Sequence, residues 1–303
     1  MRYALALATL AVLSPLPALA QDKSDTKLPK LPETCQELSR ELGNTLELNP
    51  QSVVEETGSG CTISNFHVSF GIMDRFHVEK ATLTASDLFG SFAEQRLPEE
   101  LDLQLDQVIM APDTGSPQTD YMIEAMNEPM DIHLAYRWDR EEQTVELADF
   151  SVSAQGIGGV RFGGRFSDLE LDPAKLADAA ALPTRIDQLV IEIDNARYLS
   201  AMVVPIVIGS LPYDEDPRAS VANYIAAATA FINSVPSDSM ADDSKAALVT
   251  FVEGFPRIRG DYTLDIRAEP GLGFEDLDVD DPAELAGLLP RIKAEASYTP
   301  DEP

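Results

Sequence analysis

Three observations predict an α+β fold: a large antiparallel, curved sheet of meander type with a helical hairpin from the C-terminal half packed on it. Apolar and polar residues alternate with period two in run after run through the first two thirds of the chain. Short turns rich in Gly, Asp and Glu join neighbouring runs, which is hairpin punctuation. Two late segments switch to an apolar period near 3.6, the mark of amphipathic helices. Strands first and helices afterwards is the α+β order.

The elements follow in chain order. Residues 21–32 are polar and proline-containing and read as a flexible leader. Residues 33–42 predict a short helix carrying Cys35. Over 61–70, Phe66, Val68 and Phe70 alternate with His67 and Ser69, and 76–83 is again strand-like. Leu101, Leu103 and Leu105 alternate with Asp102 and Gln104. Met130, Ile132, Leu134, Tyr136 and Trp138 alternate with Asp131, His133 and Arg137. Such strands have one face on a core and one in water. A turn at 139–142, a strand over 143–153 and a turn at 155–159 come next. Val160, Phe162, Gly164 and Phe166 then share one strand face. Residues 186–193 form another strand. Tyr262, Leu264 and Ile266 alternate with Thr263, Asp265 and Arg267 in a late one.

Helix starts are marked by Asp172-Pro173, Asp216-Pro217 and Asp281-Pro282. Asp accepts an orphan N–H as N-cap, and Pro fits the first helical position. Helix 217–233 carries Val221, Tyr224, Ile225, Ala228, Phe231 and Ile232 on one stripe. Helix 240–253 carries Leu248, Phe251 and Val252, with Pro236-Ser237-Asp238 as the connector. Residues 33–297 are expected to form a single α+β domain, with a subdivision point near 172–183 and a polar tail at 298–303.

Residues 1–20 have the three parts of a secretory signal peptide. Arg2 charges the n-region, residues 4–13 are uncharged and apolar, and Ala18-Leu19-Ala20 is an A-x-A cleavage site that leaves Gln21 first. The apolar run at 201–211 is interrupted by Pro205. It falls short of the about 20 residues needed to span a bilayer and reads as a buried core segment. The mature chain is therefore expected to be exported, most simply to a Gram-negative periplasm or beyond the cell, and not to be an integral membrane protein.

The net charge of −30 excludes a nucleic-acid partner, because phosphates would be repelled. Cys35 and Cys61 are the two cysteines. In an oxidising compartment they read as one disulfide.

Motifs for chemistry are missing. His67, His77 and His133 are the only histidines. Each falls between apolar neighbours on a strand and reads as a surface residue. His77-Val78-Glu79 lacks the Pro-Cys-x-x-Cys partner of zinc deaminases, and no His-Glu-x-x-His occurs. The stretch Gly156-Ile157-Gly158-Gly159-Val160-Arg161 has Arg161 where a dinucleotide fingerprint needs glycine, so it reads as a hairpin. Alternating carboxylates at Asp276, Asp278 and Asp280 resemble the start of a calcium loop. Asp281 and Gly287 then stand where an EF-hand needs Gly and Glu, which leaves the three as weak calcium candidates. No catalytic residue and no cofactor is expected.

The successive strands Met130–Trp138, Gln143–Ser153 and Val160–Leu171 carry a resemblance of texture. So does Tyr262–Pro270 followed by Asp281–Leu289. Over residues 60–297 the chain resembles uncharacterised Gram-negative periplasmic proteins with long amphipathic strands, loosely AsmA-like. That resemblance implies an envelope location and contact with lipid. The chain departs from AsmA-like proteins in its shorter length and in its cleavable leader in place of an N-terminal anchor, and no site residue carries over.

Together these features predict a non-enzymatic, acidic exported protein that acts in the cell envelope by binding a protein partner. A sheet-lined groove for a lipid or other apolar ligand is the alternative, and a hydrolase with a nonstandard site the third reading. Oligomeric state leaves no mark in the sequence.

Overall fold

The computed structural model describes residues 32–43, 45–69, 75–94, 96–111, 114–169, 183–195, 204–211, 216–273, 276 and 287–301. The expected signal peptide, the expected leader up to residue 31 and the Asp-Pro pairs at 172 and 281 lie outside them. The fold is mostly sheet: ten strands in an antiparallel meander whose order is the order of the chain. They are β1 (Leu46–Thr57), β2 (Gly60–Ser69), β3 (Arg75–Ala85), β4 (Glu100–Met110), β5 (Met130–Asp139), β6 (Thr144–Ala154), β7 (Gly158–Ser167), β8 (Arg185–Asp194), β9 (Asp261–Gly273) and β10 (Ile292–Thr299). The helices are α1 (Cys35–Glu41), α2 (Leu88–Ala93), α3 (Pro117–Met126), α4 (204–209), α5 (Pro217–Ser234) and α6 (Asp242–Glu253). The chain divides into two compact units, Met1–Gln143 with Asp168–Pro183 and Thr144–Ser167 with Thr184–Pro303.

In the first unit, β1 to β5 build a core around Phe66, Val78, Ala81 and Val108, flanked by Ile63, Phe76, Leu105 and Ile132. The strands change phase midway. Ile63 and Phe66, Val78 and Ala81, and Leu105 and Val108 all reach the same core. Three residues apart on a regular strand, each pair would face opposite ways. Asn65 in β2 and Gln107 in β4 have left-handed backbones, with φ of 55° and 54°. That conformation turns the chain so that the apolar residues on either side share a face. In β3 the same change is made across Glu79 and Lys80, which are both exposed. The turned backbone is held from neighbouring strands. The Asn65 carbonyl accepts from Asn49 Nδ2 at 2.9 Å and Ser52 Oγ at 2.6 Å, and the Gln107 amide donates to Asp131 Oδ1 at 2.9 Å.

Helix α1 is capped by Thr34, whose side chain accepts from the Glu37 amide at 3.2 Å. Its buried residues Cys35 and Leu38 pack with Cys61, Val54, Leu88, Phe89 and Phe92. Cys35 and Cys61 are disulfide-bonded, with Cα atoms 5.6 Å apart. Beside them Gly60 is required by close approach, because a Cβ there would lie 1.8 Å from the Leu83 carbonyl oxygen. The edge strand β1 contains Pro50 and a register irregularity between Leu48 and Val53, two devices that blunt an exposed edge.

In the second unit, β6 to β10 carry two helices on the C-terminal strands. Asp216 accepts from the Arg218 amide at 3.0 Å and Pro217 opens α5, as the Asp-Pro signal predicts. Ile232, Val235, Met240 and Ala294 are buried together with Leu248, Val249 and Val252 of α6 and Ile266 of β9. A second cluster joins Ile193, Ile258 and Tyr262. Here the Phe251 and Tyr262 rings stack at 4.2 Å, with Tyr298 edge-on to Phe251 at 5.6 Å. The last edge is covered. The Ala294 amide donates to the Ser239 carbonyl at 2.8 Å, and the Ala296 amide to Ser244 Oγ at 3.1 Å.

One expectation is corrected. The apolar run at 201–211 is not a buried core segment over its described part. Residues 204–209 form α4, with Ile206 at 69% and Ile208 at 41% exposure, while Leu211 is buried.

Candidate functional site

The feature of the second unit that the core does not use is an apolar helical surface. Alanines at 222, 226–228 and 230 make α5 a strong helix former. Its buried stripe runs through Ile232, with Val221, Ile225 and Ala228 half-buried along the same line. Spacings of four, three and four residues keep these on one face. Tyr224 and Phe231 lie on the adjoining stripe, two turns apart, and stand 61% and 38% exposed. The apolar face read from the sequence is thus wider than the buried face, and its Tyr224–Phe231 border is left in solvent. Between Arg218 and Asp238 the sequence has no charged residue, although 24% of the chain is charged. Exposed Ile206 and Ile208 of α4 belong to the same insertion between β8 and β9. A charge-depleted surface carrying aromatic residues has the composition of an interface core.

Electrostatics at the other predicted positions are local. Asp276 accepts from the Gly273 amide at 3.0 Å, and both its oxygens pair with Arg291, at 3.2 and 3.0 Å. The Arg291 guanidinium beside it is the first cause that holds its carboxyl below the usual range. A guanidinium fills the place where a cation would approach this carboxylate. Asp278 and Asp280 lie outside the described residues. Among the described residues no group of three or more His, Cys, Asp or Glu side chains is arranged to hold a metal ion.

The three histidines lie on strands of the first unit. His133 Nε2 is 3.2 Å from Asp102 Oδ1 on the neighbouring strand. His67 and His77 are brought together as direct cross-strand partners of β2 and β3. Their meeting is implicit in the sequence only once the hairpin register is known, since 67 and 77 are symmetric about its centre. The exposed border of α5 had a plainer signal: the stripe of six apolar residues is broad for one helix, and its length is free of charge.

No helix among the described residues is long and apolar enough to cross a membrane. No protein-family model matches the chain, and no curated protein or solved structure is detectably similar to it.

Proposed function

We propose that this is a non-enzymatic exported protein of the cell envelope that binds a protein partner through the exposed apolar residues of α4 and of α5. The observation that carries the proposal is the exposure of Ile206, Ile208, Tyr224 and Phe231 on two stretches without charge, 198–213 and 219–237, in a chain of net charge −30. Covering Ile206 alone contributes about 1–2 kcal/mol. An anionic lipid surface is a poorer occupant, because the rest of the chain would be repelled from it. The test compares the parent with a Tyr224→Glu/Phe231→Glu variant in affinity purification from crosslinked cells. The parent is expected to recover a reproducible partner that the variant loses while keeping its melting temperature. Equal recovery by both, or no reproducible partner with the parent, overturns the proposal.

A second reading is favoured by one observation. Leu83, Leu103 and Leu134 stand in register across β3, β4 and β5, all half-buried. Such a leucine face suits an acyl chain or another apolar ligand. Native mass spectrometry of gently purified protein tests it, and a chain of bare polypeptide mass would refute it.

A further inference from the structure

His67 and His77 face each other across β2 and β3, with ring centroids 5.1 Å apart and planes inclined by 55°. Both rings are half-buried. The row they occupy runs Glu47, His67, His77, Ile109 across β1 to β4. Glu47 is fixed at its end: Oε1 accepts from Ser69 Oγ at 2.8 Å, and Oε2 from Arg75 Nε at 3.1 Å. We infer that the His67–His77 pair is a binding site for a divalent transition cation of the imidazole-preferring class, zinc foremost, with one nitrogen from each ring as ligands.

The spacing carries the inference. A zinc–nitrogen bond of about 2.0–2.1 Å puts the metal about 3.2 Å from the ring centroid, and a tetrahedral angle then sets two centroids about 5.2 Å apart. Right-angled coordination would set them at about 4.5 Å. The observed 5.1 Å matches the tetrahedral spacing of centroids. Imidazole also selects the class of ion. Calcium and magnesium prefer oxygen, whereas zinc, copper and nickel accept ring nitrogen. Arg75 is the nearest positive charge, and its pairing with Glu47, at 3.0 Å from Nη2 to Oε2, offsets part of its repulsion of a cation beside His67. The acidity of the whole chain raises the local cation concentration. With two protein ligands the remaining positions are open to water or to a further donor.

The experiment is isothermal titration of the mature chain with zinc chloride, in excess calcium so that carboxylates are occupied. It is paired with electron paramagnetic resonance of the copper(II)-loaded protein. The expected result is one zinc per chain, with binding weakened at least about tenfold by His67→Asn and by His77→Asn, the least expected for a lost metal-supporting group. His133→Asn is expected to leave binding unchanged. The copper spectrum of the parent should show two nitrogen ligands, which requires no variant to fold. Absence of stoichiometric zinc binding, equal affinity in the parent and both Asn variants, or an all-oxygen copper spectrum would overturn the inference.

Discussion

Removing the Cys35–Cys61 bridge gives the most quantitative expectation for the first unit. The perturbation is Cys35→Ala with Cys61→Ala, which avoids placing a hydroxyl where both side chains are buried. The bridge spans 26 residues, and closing such a loop removes unfolded-chain entropy worth about 3.5 kcal/mol at 25 °C in the chain-entropy model. The loop includes α1, the whole of β1 and the turn into β2, so these elements are expected to loosen first. Alanine also takes two sulfur atoms out of a cluster with Leu38, Leu88 and Phe92, which adds a smaller packing loss. Urea unfolding followed by far-UV circular dichroism should show a loss of about 3–4 kcal/mol for the double variant. The same loss should appear in the parent under a reductant. A loss below about 1 kcal/mol would refute the reasoning, because the bridge would then not be what restrains the unfolded chain.

Three further outcomes are expected. Tyr262→Phe should raise stability by about 1 kcal/mol in thermal unfolding, because the buried Tyr262 hydroxyl lacks a hydrogen-bond partner among the described residues while its ring keeps the stack on Phe251. The same burial pushes the Tyr262 phenol up to about 12. Asp216→Ala should cost about 1 kcal/mol through loss of the α5 cap, and Asp216→Asn much less, both read from urea midpoints. The Asp276–Arg291 pair should make stability depend on acid. Because the folded-state pKa of Asp276 is lowered, its contribution is complete above the unfolded value of 3.8 and is lost as pH falls through the lower folded value. Asp276→Asn should flatten that part of the profile, and an unchanged profile would contradict the assignment.

Much of the architecture was legible in the residues because alternation reports directly on a half-wet sheet. The alternations around Leu103, Leu134 and Tyr262 each fall inside a strand, and Asp216-Pro217 opens a helix. The cysteine pair was legible from its even count and the export that residues 1–20 lead one to expect. Strand β1 was not, because Asn49-Pro50 interrupts it and most of its side chains are exposed, so no clean alternation survives. Strand β10 does alternate, with Ile292, Ala294, Ala296 and Tyr298 on one side, but two alanines make a faint apolar signal. The change of phase at Asn65 and Gln107 leaves only a break in the pattern, since a left-handed backbone at Asn or Gln has no strong local signature. Segment 201–211 misled because hydropathy reports what a residue prefers, whereas Ile206 stands in solvent. The same gap between preference and burial marks Tyr224 and Phe231, which is why the candidate surface emerged only with the tertiary structure.

The proposed partner-binding role of α4 and α5 is tested most directly by site-specific photocrosslinking in cells that make the protein. A photoreactive residue is placed at position 224, at 206, or at the exposed strand position 146 as control. The account predicts a discrete adduct of one mass from 224 and 206, and none from 146. No adduct from 224 and 206, or equal yields from all three positions, would contradict it.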